Sequence, residues 1–264
     1  MIRVHGVHFG YDDAPVLRGV SLSVEQGDLV GILGPNGSGK TTLLRLLAGA
    51  LAPDAGSVTL DGQPTGIHSR RALARRLAVV PQETHLAFDY SAMEIVLMGR
   101  YPHLGPFEVE GPADLAIARA ALETTGTGHL AERIFGTLSG GEKQRVVIAS
   151  ALAQLSAGAD ETSSAALSVG ERSVLLLDEP TASLDIRYQL EVASLLRRLH
   201  DERRLTIVFS THDLRFAASI ATTVVLLGRG TVLRSGPPAT ALTPGAVADL
   251  YDIDEALAVP LLGT

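Results

Sequence analysis

Three short stretches of this sequence hold residues whose types and spacing suit chemistry on a phosphate. The first is GPNGSGKT, Gly34 to Thr41, which fits the pattern G-x-x-x-x-G-K-[ST] in full. Its glycines let successive N–H groups curl around phosphate oxygens, and Lys40 can reach the β- and γ-phosphates of a nucleotide. The Thr41 hydroxyl suits magnesium. The second stretch, LLLDEP, puts Asp178 and Glu179 at the end of an apolar run. Neighbouring strand residues point to opposite sides, so the two carboxylates can divide the work. Asp178 would hold magnesium, directly or through water, and Glu179 would act as general base toward the water that attacks the γ-phosphate. The third stretch is LSGGEKQR, residues 138–145. Ser139 followed three residues later by Glu142 fits a helix capping box. Gly140 and Gly141 leave the first backbone N–H groups of that helix bare, and a bare, dipole-positive helix end binds anions. The chain thus carries two candidate phosphate sites, far apart in sequence.

Single residues are weaker signals. A lone histidine is more often structural than catalytic. His212, however, follows an apolar strand in STHDL, at the sheet edge where α/β proteins bind ligands, and is a candidate γ-phosphate contact. Gln82 closes LAVVPQ, and a polar residue at a strand end needs no special explanation. Tyr11 can stack on adenine or sit as a half-buried strand tyrosine, and residue type favours neither. His5 and His8, an odd number of positions apart on a strand, are expected to face opposite ways and to make a poor metal pair.

The elements that must position these residues alternate. Residues 2–9 and 20–25 read as strands with a DDAP turn between them, and LVGIL (29–33) as a buried parallel strand that runs through the glycine loop into a helix over 42–51. Further strands are expected at 57–62, 77–82, 173–180 and 205–213, and a hairpin over 223–236 turning at Gly228–Gly230. Between the last two buried strands, Val192, Leu195, Leu196 and Leu199 share one face of an amphipathic helix. This alternation predicts a mostly parallel α/β sheet. The stretch from about 83 to 155 reads as a helical subdomain inserted in it, broken by the Pro/Gly-rich YPHLGPFEVEGP (101–112). A segment rich in Ala, Ser and Gly, about 156–172, reads as a flexible insertion.

Composition narrows the function classes. The chain of 264 residues can bury a full core, as one domain spanning 1–264. With a net charge of −7 it lacks the basic stripe of a chain whose main partner is nucleic acid. It has no cysteine, which excludes disulfides and thiolate metal sites and fits a reducing compartment. Neither a secretory leader nor a membrane-spanning run is expected, so the chain reads as soluble.

GPNGSGKT, PQ, LSGGEKQR, LLLDEP, SLD (183–185) and STHD, in that order, resemble the ATP-binding-cassette (ABC) ATPases over essentially the whole chain. The resemblance implies a P-loop NTPase of the ABC type, with a mixed sheet core, N-terminal antiparallel strands and a helical subdomain. It implies ATP and magnesium as cofactors and a head-to-tail homodimer in which the signature helix of one copy caps the γ-phosphate held by the other. Carried over by position, Gly34, Pro35, Asn36, Gly37, Ser38, Gly39, Lys40, Thr41 and Thr42 cradle ATP, and Tyr11 stacks on its adenine. Ser139, Gly140 and Gly141 form the trans phosphate site, and Asp185 belongs to a loop crossing the dimer interface. Thr41, Gln82 and Asp178 serve magnesium, while Glu179, His212, Gln82 and Lys40 serve catalysis. Glu142 stands where many members have Gln, and a free carboxylate there would repel a γ-phosphate. It is therefore expected to be occupied in the capping box.

VLMGRYPHLGPF (96–107) and the C-terminal GPPATALTPGAVADLYDID resemble the importers for ferric siderophores, haem and cobalamin, and the small-residue insertion before LLLDEP resembles the haemin importers most. That implies a separate integral membrane permease dimer, a periplasmic or surface substrate-binding protein, and a peripheral position on the cytoplasmic face of the plasma membrane. The coupling surface is then expected within 83–107. Other readings are a cassette for unrelated cargo, or a soluble ABC ATPase acting on DNA or ribosomes, which the acidic charge and the lack of a tandem cassette disfavour.

Overall fold

The computed structural model describes residues 1–262 except 13, 85, 158–166, 168 and 171. Strands β1 (Ile2–Tyr11) and β2 (Ala14–Val24) come first, then the fully buried β3 (Leu29–Leu33), which feeds helix α1 (Lys40–Leu47). Strands β4 (Ala55–Leu60) and β5 (Gln63–Pro64), helix α2 (Arg70–Ala74) and strand β6 (Leu77–Val80) follow. Three helices, α3 (Ala92–Met98), α4 (Pro112–Thr124) and α5 (Gly140–Leu155), precede β7 (Val174–Leu177), α6 (Ile186–Arg203), β8 (Thr206–Thr211) and α7 (Leu214–Ile220). The hairpin β9 (Thr223–Gly228) and β10 (Thr231–Gly236) leads to α8 (Pro238–Ala241), α9 (Pro244–Tyr251) and α10 (Glu255–Ala258).

These strands form two sheets. One is antiparallel, in the order β2-β1-β4-β5; the other has the order β10-β9-β3-β8-β7-β6 and is parallel except for β10. Helix α1 lies between them, its Leu43, Leu44, Leu46 and Leu47 packed with Ile2 and Val4 of β1 and with Val174, Leu176 and Val208 of the larger sheet. The other face of that sheet, through Leu175, Leu177, Ile207 and Phe209, packs on the helices. Val-Leu-Leu-Leu of β7 is therefore continuously apolar because alternate residues enter different cores. Each buried Leu or Val contributes about 1.5–3 kcal/mol, and the parallel strands end together at the edge where the chemical residues gather.

The helical block is tied to the sheet by polar groups as well as by packing. Arg100, only 2% exposed, donates to Asp114 Oδ1 and to the carbonyls of Ala153 and Ser156, satisfying a buried cation at the end of α5. Gln154 Nε2 donates to the carbonyls of Ala74 and Leu77, beside β6. The Pro/Gly-rich connector leaves Tyr101 and Phe107 exposed.

Several expectations need correction. Helix α1 starts at Lys40 rather than 42, and Gly49 at φ +67° ends it early, with the Gly49 N–H bonded to Leu46 O. Strand β2 reaches back to Ala14. Strand β6 stops at Val80 and β7 at Leu177, so Gln82, Asp178 and Glu179 lie beyond the pleat. His5 and His8 do not face opposite ways: a register shift at Gly6, φ +56°, inserts one residue, and both imidazoles fall on the exposed side. The hairpin turn is as expected, with Arg229 and Gly230 both at positive φ, the type I′ geometry that matches strand twist. Most of the segment expected to be a flexible insertion lies outside the described residues. Within it, Ser156 bridges Val169 and Leu167 is buried.

Candidate active site

Buried β3 delivers the chain into Gly34–Gly39, and α1 starts immediately after it. Gly39 sits at φ +102°, and a Cβ there would lie 2.6 Å from Leu17 Cδ2, so both conformation and space demand glycine. No side chain caps α1 and no acid lies in its first turn, which leaves the dipole-positive end to an anion. Ser38 is buried and its Oγ has no hydrogen-bond partner among the described residues. Lys40, 5% exposed, donates to Gly34 O at 2.9 Å and Pro35 O at 3.2 Å, and its Nζ is 3.2 Å from Glu179 Oε1. A buried ammonium, an orphan hydroxyl and open N–H groups around one loop fit a phosphate chain.

A cavity of about 640 Å³ opens over this loop, walled by Asn36, Gly37, Gly39, Lys40, Thr41 and Thr42, and on the far side by Gln82, Glu179 and His212. Glu179 adopts φ +44°, so it diverges from Asp178 through a left-handed backbone step and not through strand alternation. Its Oε2 lies 3.2 Å from His212 Nδ1, and its backbone N–H donates to Ser210 Oγ at 2.9 Å. Ser210 Oγ in turn donates to Asp178 Oδ1 at 2.6 Å, and Asp178, 8% exposed, stands behind the cavity wall. Ser210 was not singled out from the sequence. Its signal lies in the parallel register, which pairs Leu177 with Phe209 and so brings residues 178 and 210 together at the strand ends.

Among the described residues no group of three or more His, Asp or Glu is placed to hold a metal by itself. Magnesium commonly takes one or two protein oxygens plus substrate phosphates and water, so Thr41 and Gln82, which line the cavity, fit it beside a bound nucleotide, and Asp178, behind the wall, fits a role through water. Tyr11 lies outside the cavity wall, 40% exposed and edge-to-face with Phe9 at 4.9 Å.

The structure does not bring Ser139, Gly140, Gly141 or Asp185 to this cavity. Asp185 is the N-cap of α6, accepting from the Tyr188 N–H at 3.2 Å. Gly140 lines a separate cavity of about 240 Å³ that shares Gln82, Ala182 and Ser183 with the first, so Gln82 stands between the two. Gly141 also has a packing role: a Cβ there would overlap the Tyr188 ring. The Ser139 N–H donates to Glu142 Oε2 at 2.7 Å, and the Glu142 N–H donates to Ser139 Oγ at 3.4 Å. The capping box is formed, and Glu142 is occupied as expected.

The Ser139 backbone bond holds the Glu142 carboxyl below the usual carboxylate range. A depressed folded pKa contributes stability above the unfolded value, which is lost as pH falls through the folded one. Glu142→Gln keeps a reach-back bond without that charge. Between neutral pH and about pH 2.5, wild type is expected to lose roughly 0.2–0.5 kcal/mol more than Glu142→Gln by urea unfolding, because solvent screening reduces the charge-dependent part of the cap. Equal losses would show that the box carries no charge-dependent stability.

A family model described as ABC transporter matches residues 17–182. Hemin import ATP-binding protein HmuV of Bordetella pertussis is 42% identical over 250 residues, covering 94% of this chain and 91% of that protein. Cobalamin import ATP-binding protein BtuD of Halobacterium salinarum is 38% identical over 237 residues, covering 90% of this chain and 55% of that protein. A solved metal-chelate type ABC transporter, in an inward-facing conformation, superposes with a TM-score of 0.79 at 31% identity, over 95% of this chain and 88% of its own.

Proposed function

This chain belongs to the ABC transporter family, and we propose that it is the ATP-hydrolysing subunit of an importer for haem or another iron chelate. The observation that carries the catalytic part is Glu179, held between Lys40 and His212 in the wall of the cavity over the phosphate loop. Phosphate binding exchanges the acceptors of Lys40 for phosphate oxygens and frees Glu179 Oε1 to orient and deprotonate the attacking water. His212 steadies the other carboxylate oxygen and then faces the γ-phosphate. Thr41, Gln82 and Asp178 are the residues that would hold magnesium, which when bound neutralises charge on the β- and γ-phosphates. Tyr11 supplies a face for adenine.

Ser139, Gly140 and Gly141 stand apart from the phosphate loop within one copy, which supports their use across a head-to-tail homodimer, with Asp185 near the shared interface. ATP bound between copies favours closure and hydrolysis favours opening. Among the described residues no helix is long and apolar enough to cross a membrane. The likeness to import ATP-binding proteins supports a separate permease dimer as the receiver of this motion, served by a periplasmic or surface binding protein, with this chain peripheral on the cytoplasmic face. Nucleic acid plays no part in this reading. A chain of net charge −7 lacks the electrostatic footprint for it.

Haem import is supported by the HmuV likeness. The BtuD likeness keeps cobalamin as the second reading. Growth of a strain lacking this protein, on haem, ferric siderophore or inorganic iron as sole iron source, tests the cargo. Loss on haem alone, rescued by wild type and not by Glu179→Gln, is the expected result. Loss on siderophore alone would change the cargo, and an unaffected strain without a redundant importer would remove the iron assignment.

A further inference from the structure

Tyr251, the last residue of α9, belongs to none of the phosphate motifs, yet its hydroxyl donates to the backbone carbonyl of His212 at 3.0 Å. The His212 ring is the outermost member of the catalytic set, 56% exposed and, among the described residues, bonded only through Nδ1 to Glu179 Oε2. A half-exposed ring on a two-residue connection between β8 and α7 keeps its place only if its backbone is fixed. The following residue is fixed locally: Asp213 Oδ1 accepts from the N–H groups of Arg215 and Phe216, and the Asp213 N–H donates to Thr211 Oγ1. Nothing in that turn holds the His212 carbonyl. Tyr251 does so from outside.

Helix α9 can bear this role because it is itself anchored. Val247 and Leu250 are buried in the main core, and Asp252, at φ +57°, ends the helix one residue after Tyr251. Burial raises the Tyr251 pKa, and the Asp213 and Glu179 carboxylates add to the effect, so the hydroxyl keeps its proton and remains a donor at neutral pH.

We infer that Tyr251 is a positioning residue for hydrolysis: by fixing the His212 carbonyl, it holds the imidazole against Glu179. This deepens the ATPase reading and rests on it. It also gives helix α9 a part in turnover beyond covering the sheet, since any displacement of α9 is transmitted to the His212 ring.

The test is a double-mutant cycle on the full chain, using single-turnover ATP hydrolysis with protein in excess so that low rates stay measurable. Tyr251→Phe removes one oxygen and is expected to lower the hydrolysis rate about three- to tenfold, the scale of one net hydrogen bond, with ATP affinity unchanged. In a His212→Ala background the same substitution is expected to have no further effect, because its route is gone. A merely structural tie would lower the melting temperature in both backgrounds and reduce their rates alike; that additivity, or wild-type hydrolysis by Tyr251→Phe, overturns the inference. Wild type and Glu179→Gln run beside them separate the two readings. Hydrolysis by wild type that Glu179→Gln abolishes leaves the ATPase reading standing whatever Tyr251 does, whereas an inert wild type removes both.

Discussion

Glu179→Gln is expected to lower ATP turnover by about 10²–10⁴-fold while leaving ATP binding intact, the range for removal of a positioned general base. The substitution keeps size and hydrogen-bonding oxygen, so the left-handed step at φ +44° and the bond from its N–H to Ser210 Oγ are preserved. What it removes is the basic oxygen that takes a proton from water. It also removes a negative charge 3.2 Å from Lys40 Nζ, so the ammonium is left more available to phosphate. With binding retained and hydrolysis blocked, the ATP-bound closed state should accumulate. Light scattering with ATP and magnesium is expected to report twice the monomer mass for the variant. A variant that stays monomeric, or that hydrolyses at the wild-type rate, would sink the assignment of Glu179 as base or the closure cycle.

Lys40→Ala is expected to do the reverse, weakening ATP about 10–100-fold. Each charge-assisted hydrogen bond contributes about 1.5–3 kcal/mol, and each 1.4 kcal/mol is a factor of ten in affinity. The loss has a structural component too. Glu179, whose side chain is 12% exposed, loses its lysine partner and keeps the contact with His212 Nδ1, and the carbonyls of Gly34 and Pro35 lose their donor. Leaving one member of a buried pair uncompensated is costly, so the melting temperature should fall as well. Calorimetric ATP titration alongside a thermal melt separates the two effects. Unchanged ATP affinity in a folded variant would mean that Lys40 serves the loop rather than the nucleotide.

How much of this was legible in the sequence differs from residue to residue. The phosphate loop was legible because its chemistry is local: glycines, a lysine and a hydroxyl within one turn between a strand and a helix do not need distant partners to be placed. The capping box was legible for the same reason, since Ser139 and Glu142 are three residues apart on one helix start. The even alternation assumed for β1 and β7 failed where the backbone leaves the regular pleat. A bulge at Gly6 put His5 and His8 on one face, and β7 ended before Asp178. Neither irregularity has a strong local signal, because both depend on how a partner strand registers.

By itself, the sequence determined the family, an α/β fold with a mostly parallel sheet and N-terminal antiparallel strands, and the residue types suited to phosphate, since ordered motifs and hydrophobic period are properties of the chain alone; that the strands divide into two sheets was decided by tertiary pairing. Only the tertiary structure decided which of those residues stand together. Parallel pairing of β7 with β8 aligns their ends and sets Ser210 between Asp178 and Glu179. Packing of α9 into the helical core carries Tyr251 to His212, across 39 residues of chain. The separation of Ser139–Gly141 from the loop at Gly34–Thr41 is likewise tertiary, set by helices that fill opposite sides of one sheet. Contacts between residues distant in sequence are fixed by sheet register and by the burial of apolar faces, which no short stretch of the chain contains.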